Sequence, residues 1–262
     1  IWWVDWPEIP DEDRDAFTSL EQLLRLPMRQ VTLDRRSGVG LLSLKQNYFV
    51  KTFVARGSRI RYLLGISRYQ REVRNLALFR ELGLATPALV AYGHHSRLGL
   101  FQQAALVTRE VENAADLQQV LRDHALYSDG VSGARRVLKT LALAARQLHD
   151  TGFYHKDLKP RNILLRWKNG EPELFFFDCP GGHHPPKFML RRCIVRDLAH
   201  LQEGLRGYVR RVDLLYMYRV YRGCGKLSQA DKDLARAALG YHANRRMTRK
   251  RRRREREKQL RN

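Results

Sequence analysis

The stretch His155-Lys156-Asp157-Leu158-Lys159-Pro160-Arg161-Asn162 constrains the fold of this chain more than any other. It places a carboxylate, an ammonium group two residues on and a carboxamide five residues on in one short loop. Its flanks say what must hold that loop. Residues 137–148 before it are apolar with helical character, ending near Gly152. After it, residues 163–167 and 174–177 read as strands around Lys168-Asn169-Gly170, a hairpin signal because Asn-Gly accepts positive φ at low cost.

The rest of the chain orders strands before helices. Residues 16–26 read as a short amphipathic helix stopped by Pro27. Strands are expected at 30–33, 41–44 and 48–54, with a glycine-containing turn, Ser37-Gly38-Val39-Gly40, between the first two. Residues 68–82 carry helical periodicity, with Gly83 suited to the left-handed residue beyond the end and Pro87 preventing continuation. A buried strand is expected at 104–108. Further helices are expected at 197–208, at 213–221 and from Ala230, with Ser228 as a cap. The expectation is an α+β fold of two lobes, a small β-rich one with one main helix and a larger helical one. At 262 residues the chain is long enough to bury such a core.

The chemistry follows from which side chains share a face. On a strand Lys51 points with Phe49 and Phe53, an apolar face on which a lone ammonium is costly. Glu72 lies 21 residues later on the helix and shares a face with Leu76 and Phe79, so it also points inward. Two inward opposite charges explain each other, and a pair of this spacing is what holds nucleotide α/β-phosphates in phosphoryl transfer. In the loop, Asp157 would accept or orient the proton of an acceptor hydroxyl. Lys159 would neutralise charge on the transferring phosphate, and Asn162 would bind magnesium. Asp178 ends a hydrophobic strand 21 residues after Asp157 and is expected as a second metal ligand. Gly38 and Gly40 lie where a phosphate-covering loop belongs, with Arg35 and Arg36 adding charge, although a plain hairpin turn fits them too. His155 reads as structural, and the pairs His94-His95 and His183-His184 read as loop histidines rather than metal ligands, because adjacent side chains rarely point the same way.

The net charge of +22 selects polyanions as partners, and it is unevenly spread. Residues 245–262 alone carry eleven Lys/Arg and two Glu, a solvated or membrane-surface tail rather than a nucleic-acid arm. Three cysteines, Cys179, Cys193 and Cys224, show no paired spacing, which argues for a reducing compartment. No apolar run reaches the ~20 residues that span a bilayer, and there is no basic leader typical of a signal peptide. The aromatic cluster Trp2, Trp3 and Trp6 fits packing on the adjacent lobe better than an interfacial anchor.

Together these parts resemble the protein-kinase-like superfamily over nearly the whole chain. Two segments are more specific: Gln70-Arg71-Glu72-Val73-Arg74-Asn75-Leu76 followed by Leu82-Gly83-Leu84-Ala85-Thr86-Pro87-Ala88-Leu89-Val90-Ala91-Tyr92-Gly93, and Arg192-Cys193-Ile194-Val195-Arg196-Asp197-Leu198. Both are similar to the bacterial lipopolysaccharide kinases of the Kdo/WaaP family. The resemblance implies ATP- and magnesium-dependent phosphorylation of a Kdo or heptose sugar of the lipopolysaccharide inner core. The setting it implies is the cytoplasmic face of the inner membrane, with peripheral contact to anionic lipid. It also implies that Arg109-Glu110-Val111 forms the hinge beside adenine. The organisation is then an N-lobe at 1–108, the hinge at 109–111, a C-lobe at 112–244 and the basic tail at 245–262.

Leu158-Lys159-Pro160 departs from that family toward the serine/threonine protein kinases, which are the alternative acceptor class. Against a protein acceptor, residues 179–196 hold no Ser, Thr or Tyr for phosphorylation to order, and no Ala-Pro-Glu follows. Asp178-Cys179-Pro180-Gly181 also lacks the Phe and Gly that let the equivalent segment flip. Lys187, Arg191, Arg192, Arg196, Arg206, Arg210 and Arg211 suit an anionic sugar or lipid phosphate. A non-catalytic adaptor is the third reading, disfavoured by the complete set Lys51, Glu72, Asp157, Asn162 and Asp178.

Overall fold

The computed structural model of the chain describes residues 1–33, 37–54, 67–97 and 100–259, with side chains described through Met247. Arg35 and Arg36 lie outside the described residues. The chain divides into two compact units, Ile1–Ala114 with Phe175–Gly181, and Ala115–Leu174 with Gly182–Asn262.

The first unit is built on strands β1 (Trp2–Val4), β2 (Arg29–Leu33), β3 (Ser37–Ser43), β4 (Asn47–Val54), β5 (Leu89–Arg97) and β6 (Leu100–Arg109). They pair antiparallel in the order β1-β5-β6-β4-β3-β2. Period-two alternation sends neighbouring side chains to opposite faces, and both faces are covered. Tyr48 and Val50 of β4 meet Leu42, Val90, Ala105 and Val107 in one core, closed by Ile9, Phe17, Leu20 and Leu23. Phe53 meets Leu89, Ala104 and Leu106 in the other, closed by Tyr69 and Leu76 of helix α2 (Arg68–Glu81). The α2 start is fixed by a reciprocal capping box in which Ser67 Oγ accepts from Gln70 N and Gln70 Oε1 accepts from Ser67 N. It ends where expected, at Gly83 with φ 73°.

The second unit contains helices α3 (Leu117–Arg122), α4 (Gly130–Asp150), α5 (Lys187–Leu205), α6 (Arg211–Arg222) and α7 (Gln229–Gln259). A small sheet runs in the order β7 (Ala114–Asp116), β8 (Ile163–Lys168), β9 (Glu171–Phe176). The β8–β9 turn has both central residues at positive φ, Asn169 at 52° and Gly170 at 78°, as the Asn-Gly pair predicts. The apolar face of α4 is buried through Val137, Leu138, Leu141, Ala145 and Leu148. Ser228 Oγ accepts from Asp231 N and so caps α7, and the α7 backbone runs on through the basic tail to Gln259.

Several expectations are corrected. Residues 16–26 are not one helix: Ala16 and Phe17 belong to a 3-10 segment, and helix α1 (Leu20–Arg25) starts afresh at Ser19, whose hydroxyl accepts from Gln22 N. Gly38 and Gly40 are not in a turn but on β3, opposite Thr52 and Val50, with Val39 opposite Lys51. A Cβ at Gly40 would stand 2.9 Å from Met28 Cβ, which is why a strand residue there is glycine. The helix expected at 197–208 begins ten residues earlier, at Lys187. His94 and His95 lie on β5 rather than in a loop. The His94 ring is hydrogen-bonded to Tyr69 OH, and His95 lies 3.4 Å from Glu21. Of the aromatic cluster, Trp2 and Trp3 pack in the first unit as expected, Trp2 Nε1 donating to Phe17 O at 2.7 Å and the Trp3 and Tyr92 rings lying 4.9 Å apart, while Trp6 is 40% exposed.

Candidate active site

In the first unit Lys51, Glu72 and Asp178 come together. The alternation of β4 puts Lys51 on the face covered by α2, where Glu72 is buried in line with Leu76 and Phe79. Lys51 Nζ lies 2.7 and 2.9 Å from the two Glu72 oxygens and 2.5 Å from Asp178 Oδ1. Burial pushes the Glu72 carboxyl up from its usual range, opposed by the Lys51 charge. An ammonium held by two carboxylates leaves the trio with one net negative charge, so the cluster as it stands favours a further cation. Asp178 is about a third exposed and has an oxygen to spare.

Helix α2 also holds the backbone after Asp178. Asn75 Nδ2 donates to Cys179 O at 2.6 Å, and Arg71 Nε donates to Pro180 O at 3.2 Å. Asp178 has φ 52°, a left-handed conformation costing about 1 kcal/mol for a residue with a Cβ. Those two hydrogen bonds help keep it there. One helix therefore sets both the lysine's partner and the aspartate's position.

In the second unit the loop from His155 to Asn162 is assembled around Asp157. The Asp157 carboxylate is ion-paired with Lys159 and, at 3.0 Å, with Arg161. Asn162 Nδ2 donates to Asp157 O at 2.8 Å and to its Oδ2 at 3.2 Å, which orients the amide oxygen away as a free acceptor. Burial alone would raise the Asp157 carboxyl, but the hydrogen bonds and charges of Lys159 and Arg161 outweigh it and hold the group at about 2.

The loop is fastened to α5 by Asp197, which is fully buried. Its carboxylate accepts from His155 N at 2.7 Å and Lys156 N at 2.9 Å. Lys156 has φ 74°, the conformation that presents both amides to one carboxylate. A few turns along α5, a Cβ at Gly204 would lie 2.4 Å from Pro160 Cδ, so glycine lets the loop sit against the helix.

The segment 109–111 is engaged by its own unit. Arg109 pairs with Glu8 at 3.0 Å, while Glu110 accepts from Asn47 Nδ2 at 2.8 Å and donates its amide to Asn47 O. Sequence reasoning missed Arg161, Asn75 and Asp197 as parts of the site. Asp197 stands in the family-like segment 192–198, and a carboxylate in an otherwise apolar helical stripe was the available signal; Arg161 and Asn75 carried none.

Each unit by itself offers one cation suited to phosphate oxygens and one hard oxygen of the kind magnesium takes: Lys51 and Asp178 in the first, Lys159 and Asn162 in the second.

The sequence matches the Lipopolysaccharide kinase (Kdo/WaaP) family over residues 29–241. It is similar to the 3-deoxy-D-manno-octulosonic acid kinase of Vibrio vulnificus strain YJ016, at 28% identity over 50% of this chain and 48% of that one. It is also similar to that of Haemophilus influenzae strain PittEE, at 31% over 39% of this chain and 40% of that one. The chain thus spans about half the length, or less, of the curated relatives it matches. Among solved structures, WaaP in complex with acyl carrier protein shares the fold at TM-score 0.65 and 18% identity, covering 94% of this chain and 97% of that one. With the match extending over most of its length, the chain belongs to the lipopolysaccharide kinase (Kdo/WaaP) family.

Proposed function

We propose that this chain is a phosphotransferase that moves the γ-phosphate of ATP to a sugar hydroxyl, Kdo or heptose, of the lipopolysaccharide inner core. The observation that carries the reading is Lys51 held by both Glu72 and Asp178. A lysine so held is spent on no structural task that an apolar residue would not do better. The family match and the relatives named as 3-deoxy-D-manno-octulosonic acid kinases support a Kdo acceptor. The acceptor is lipid-anchored, so the enzyme works at the cytoplasmic face of the inner membrane. No helix among the described residues is long and apolar enough to cross a membrane.

Lys51 binds the α/β-phosphates, and Glu72 holds its ammonium group in place. Gly38 and Gly40 on β3 let the backbone approach the phosphates. The segment Arg109-Glu110-Val111 is the hinge beside adenine, the side chains and the amides of Arg109 and Glu110 being engaged within their own unit. Asp178 and Asn162 are the residues that would hold magnesium, which would shield the phosphate charge. Asp157, ionised throughout the physiological range, is a weak base. Its task is to accept a hydrogen bond from the acceptor hydroxyl and orient it, taking the proton late in transfer. Lys159 and Arg161 leave that carboxylate for the transferring phosphoryl group, which raises its basicity when it is needed.

The test offers labelled magnesium-ATP with purified inner-core lipopolysaccharide and, separately, a generic protein. Label in the glycolipid, abolished in Asp157→Asn with ATP binding retained, is the expected result. Undiminished transfer by Asp157→Asn, or label in protein alone, would refute the assignment.

A further inference from the structure

The first two turns of α5 present an apolar and basic surface that the proposed catalysis does not use. Phe188 is 86% exposed and Met189 40%. Lys187, Arg191 and Arg192 around them are exposed as well. On a helix Lys187 and Arg191, and Phe188 and Arg192, are neighbours four residues apart, so Phe188 has Arg191 and Arg192 one turn on and Lys187 beside it in sequence. The buried stripe of this helix takes hold only at Cys193 and continues through Val195, Asp197 and Leu198. The turns before it extend past the core.

Two features separate this patch from an ordinary solvated face. First, the cations are concentrated with no acid beside them: arginines without an ion pair occur elsewhere among the described residues, Arg206, Arg211 and Arg219 for example, but here three cations lie within six residues. Lys187, Arg191 and Arg192 form no ion pair among the described residues, and residues 179–196 contain no Asp or Glu at all. Second, a phenylalanine and a methionine stand in water at the centre of that field. Exposed apolar side chains ringed by lysine and arginine match the boundary of an anionic bilayer: the ring enters the acyl region while the long cationic stems reach back to the headgroups.

We propose that the Lys187–Arg192 surface is where the enzyme docks on a bilayer containing anionic lipid. The choice of a bilayer as occupant rests on the proposed lipid-anchored acceptor. The bilayer supplies both an anionic plane for three unmatched cations and an apolar layer for Phe188. Docking through a helix of the unit that carries Asp157 keeps the acceptor's lipid anchor and the enzyme on one surface.

The experiment uses the full chain and phosphatidylcholine vesicles carrying phosphatidylglycerol at about one part in three, an anionic surface of the kind polybasic segments recognise. The expected result is co-sedimentation with these vesicles and not with phosphatidylcholine alone. Phe188→Ser weakens partition on the order of ten-fold and the triple Lys187→Gln, Arg191→Gln, Arg192→Gln variant about a hundred-fold. Circular dichroism and melting of each variant check that these surface changes leave the fold intact. Because the basic tail can itself attract anionic vesicles, a local reading is needed. In Phe188→Trp, emission above that of the parent is quenched by vesicles with brominated acyl chains, whereas Val212→Trp on α6 shows no added quenching. Sedimentation without quenching at position 188 would overturn the proposal in favour of tail attachment. So would failure to bind vesicles, including the case where a purified acidic protein, acyl carrier protein, is bound and lost in Phe188→Ser. Failure of the wild type to label core glycolipid in detergent, with quenching at 188 intact, would remove the proposed acceptor and leave this surface standing.

Discussion

Replacing Asp197 by Asn keeps the size of a side chain that is fully buried and reverses half of its hydrogen bonding. Two amides, His155 N at 2.7 Å and Lys156 N at 2.9 Å, converge on its two oxygens. Asparagine offers one oxygen and one NH₂, so one amide keeps a weaker, uncharged partner and the other meets a donor. Losing a charge-assisted hydrogen bond costs about 1.5–3 kcal/mol, and leaving a buried donor unsatisfied about 1–3 kcal/mol more. A total of roughly 3–5 kcal/mol follows, enough to approach the whole stability of a modest domain. Lys156 loses the contact that holds it at φ 74° and relaxes toward an ordinary conformation, carrying Asp157 with it. A misplacement on the order of 1 Å at a reacting carboxylate lowers turnover about a hundred-fold. Denaturant unfolding with a two-state check measures the first quantity, and single-turnover transfer from labelled ATP measures the second. If Asp197→Asn unfolds within about 1 kcal/mol of the parent and turns over normally, the loop is held by something other than this carboxylate.

Three further outcomes are expected. Glu72→Gln lowers kcat/KM on the order of a hundred-fold, with stability falling by about 2 kcal/mol rather than the 3–5 of a fully broken buried pair. The smaller loss reflects Asp178, which still partners Lys51; kinetics against magnesium-ATP and a melting curve decide it. Asn75→Ala removes the hydrogen bond to Cys179 O and should raise the magnesium concentration needed for half-maximal rate several-fold, for a stability cost of about 1–2 kcal/mol. An unchanged magnesium requirement would mean that Asn75 only packs. Finally, burial and the nearby Lys159 charge lower the His200 pKa to about 4, and its Nδ1 has no partner among the described residues. The unfolded chain takes up a proton near 6.5 that the folded one refuses, so this group leaves stability intact above 6.5 and erodes it as pH falls toward 4. The loss approaches about 3 kcal/mol, and His200→Gln should flatten the melting temperature over that window.

What was legible in the sequence was what rests on local chemistry or on one face of one element. Lys51 and Glu72 were paired by asking which way each side chain points. Asn169-Gly170 dictated its turn through backbone sterics alone. Where a glycine answered to a distant neighbour, the sequence misled. Gly40 reads as a turn but lies on β3 beneath Met28. The early start of α5 was invisible for a related reason: its first turns bury almost nothing, so they show none of the periodicity by which a helix is recognised. Asp197 was hidden because its partners are main-chain amides, which every sequence has.

The division of the chain also bears on how the protein is made. The first unit is not finished at Ala114; it takes back Phe175–Gly181, with Phe176 N bonded to Ala85 O and its ring edge-on to Phe79. A ribosome must therefore deliver the chain through Gly181 and clear its tunnel before this unit can hold its last strand end and Asp178. Until then Phe79 of α2 is without its contact to the Phe176 ring, and the apolar surface that the two share is open to a chaperone or to aggregation. A fragment stopped at Ala114 would carry that exposure permanently. Anyone cutting this protein into pieces for expression should keep the excursion through residues 115–174, or replace it with a linker that returns the chain to Phe175.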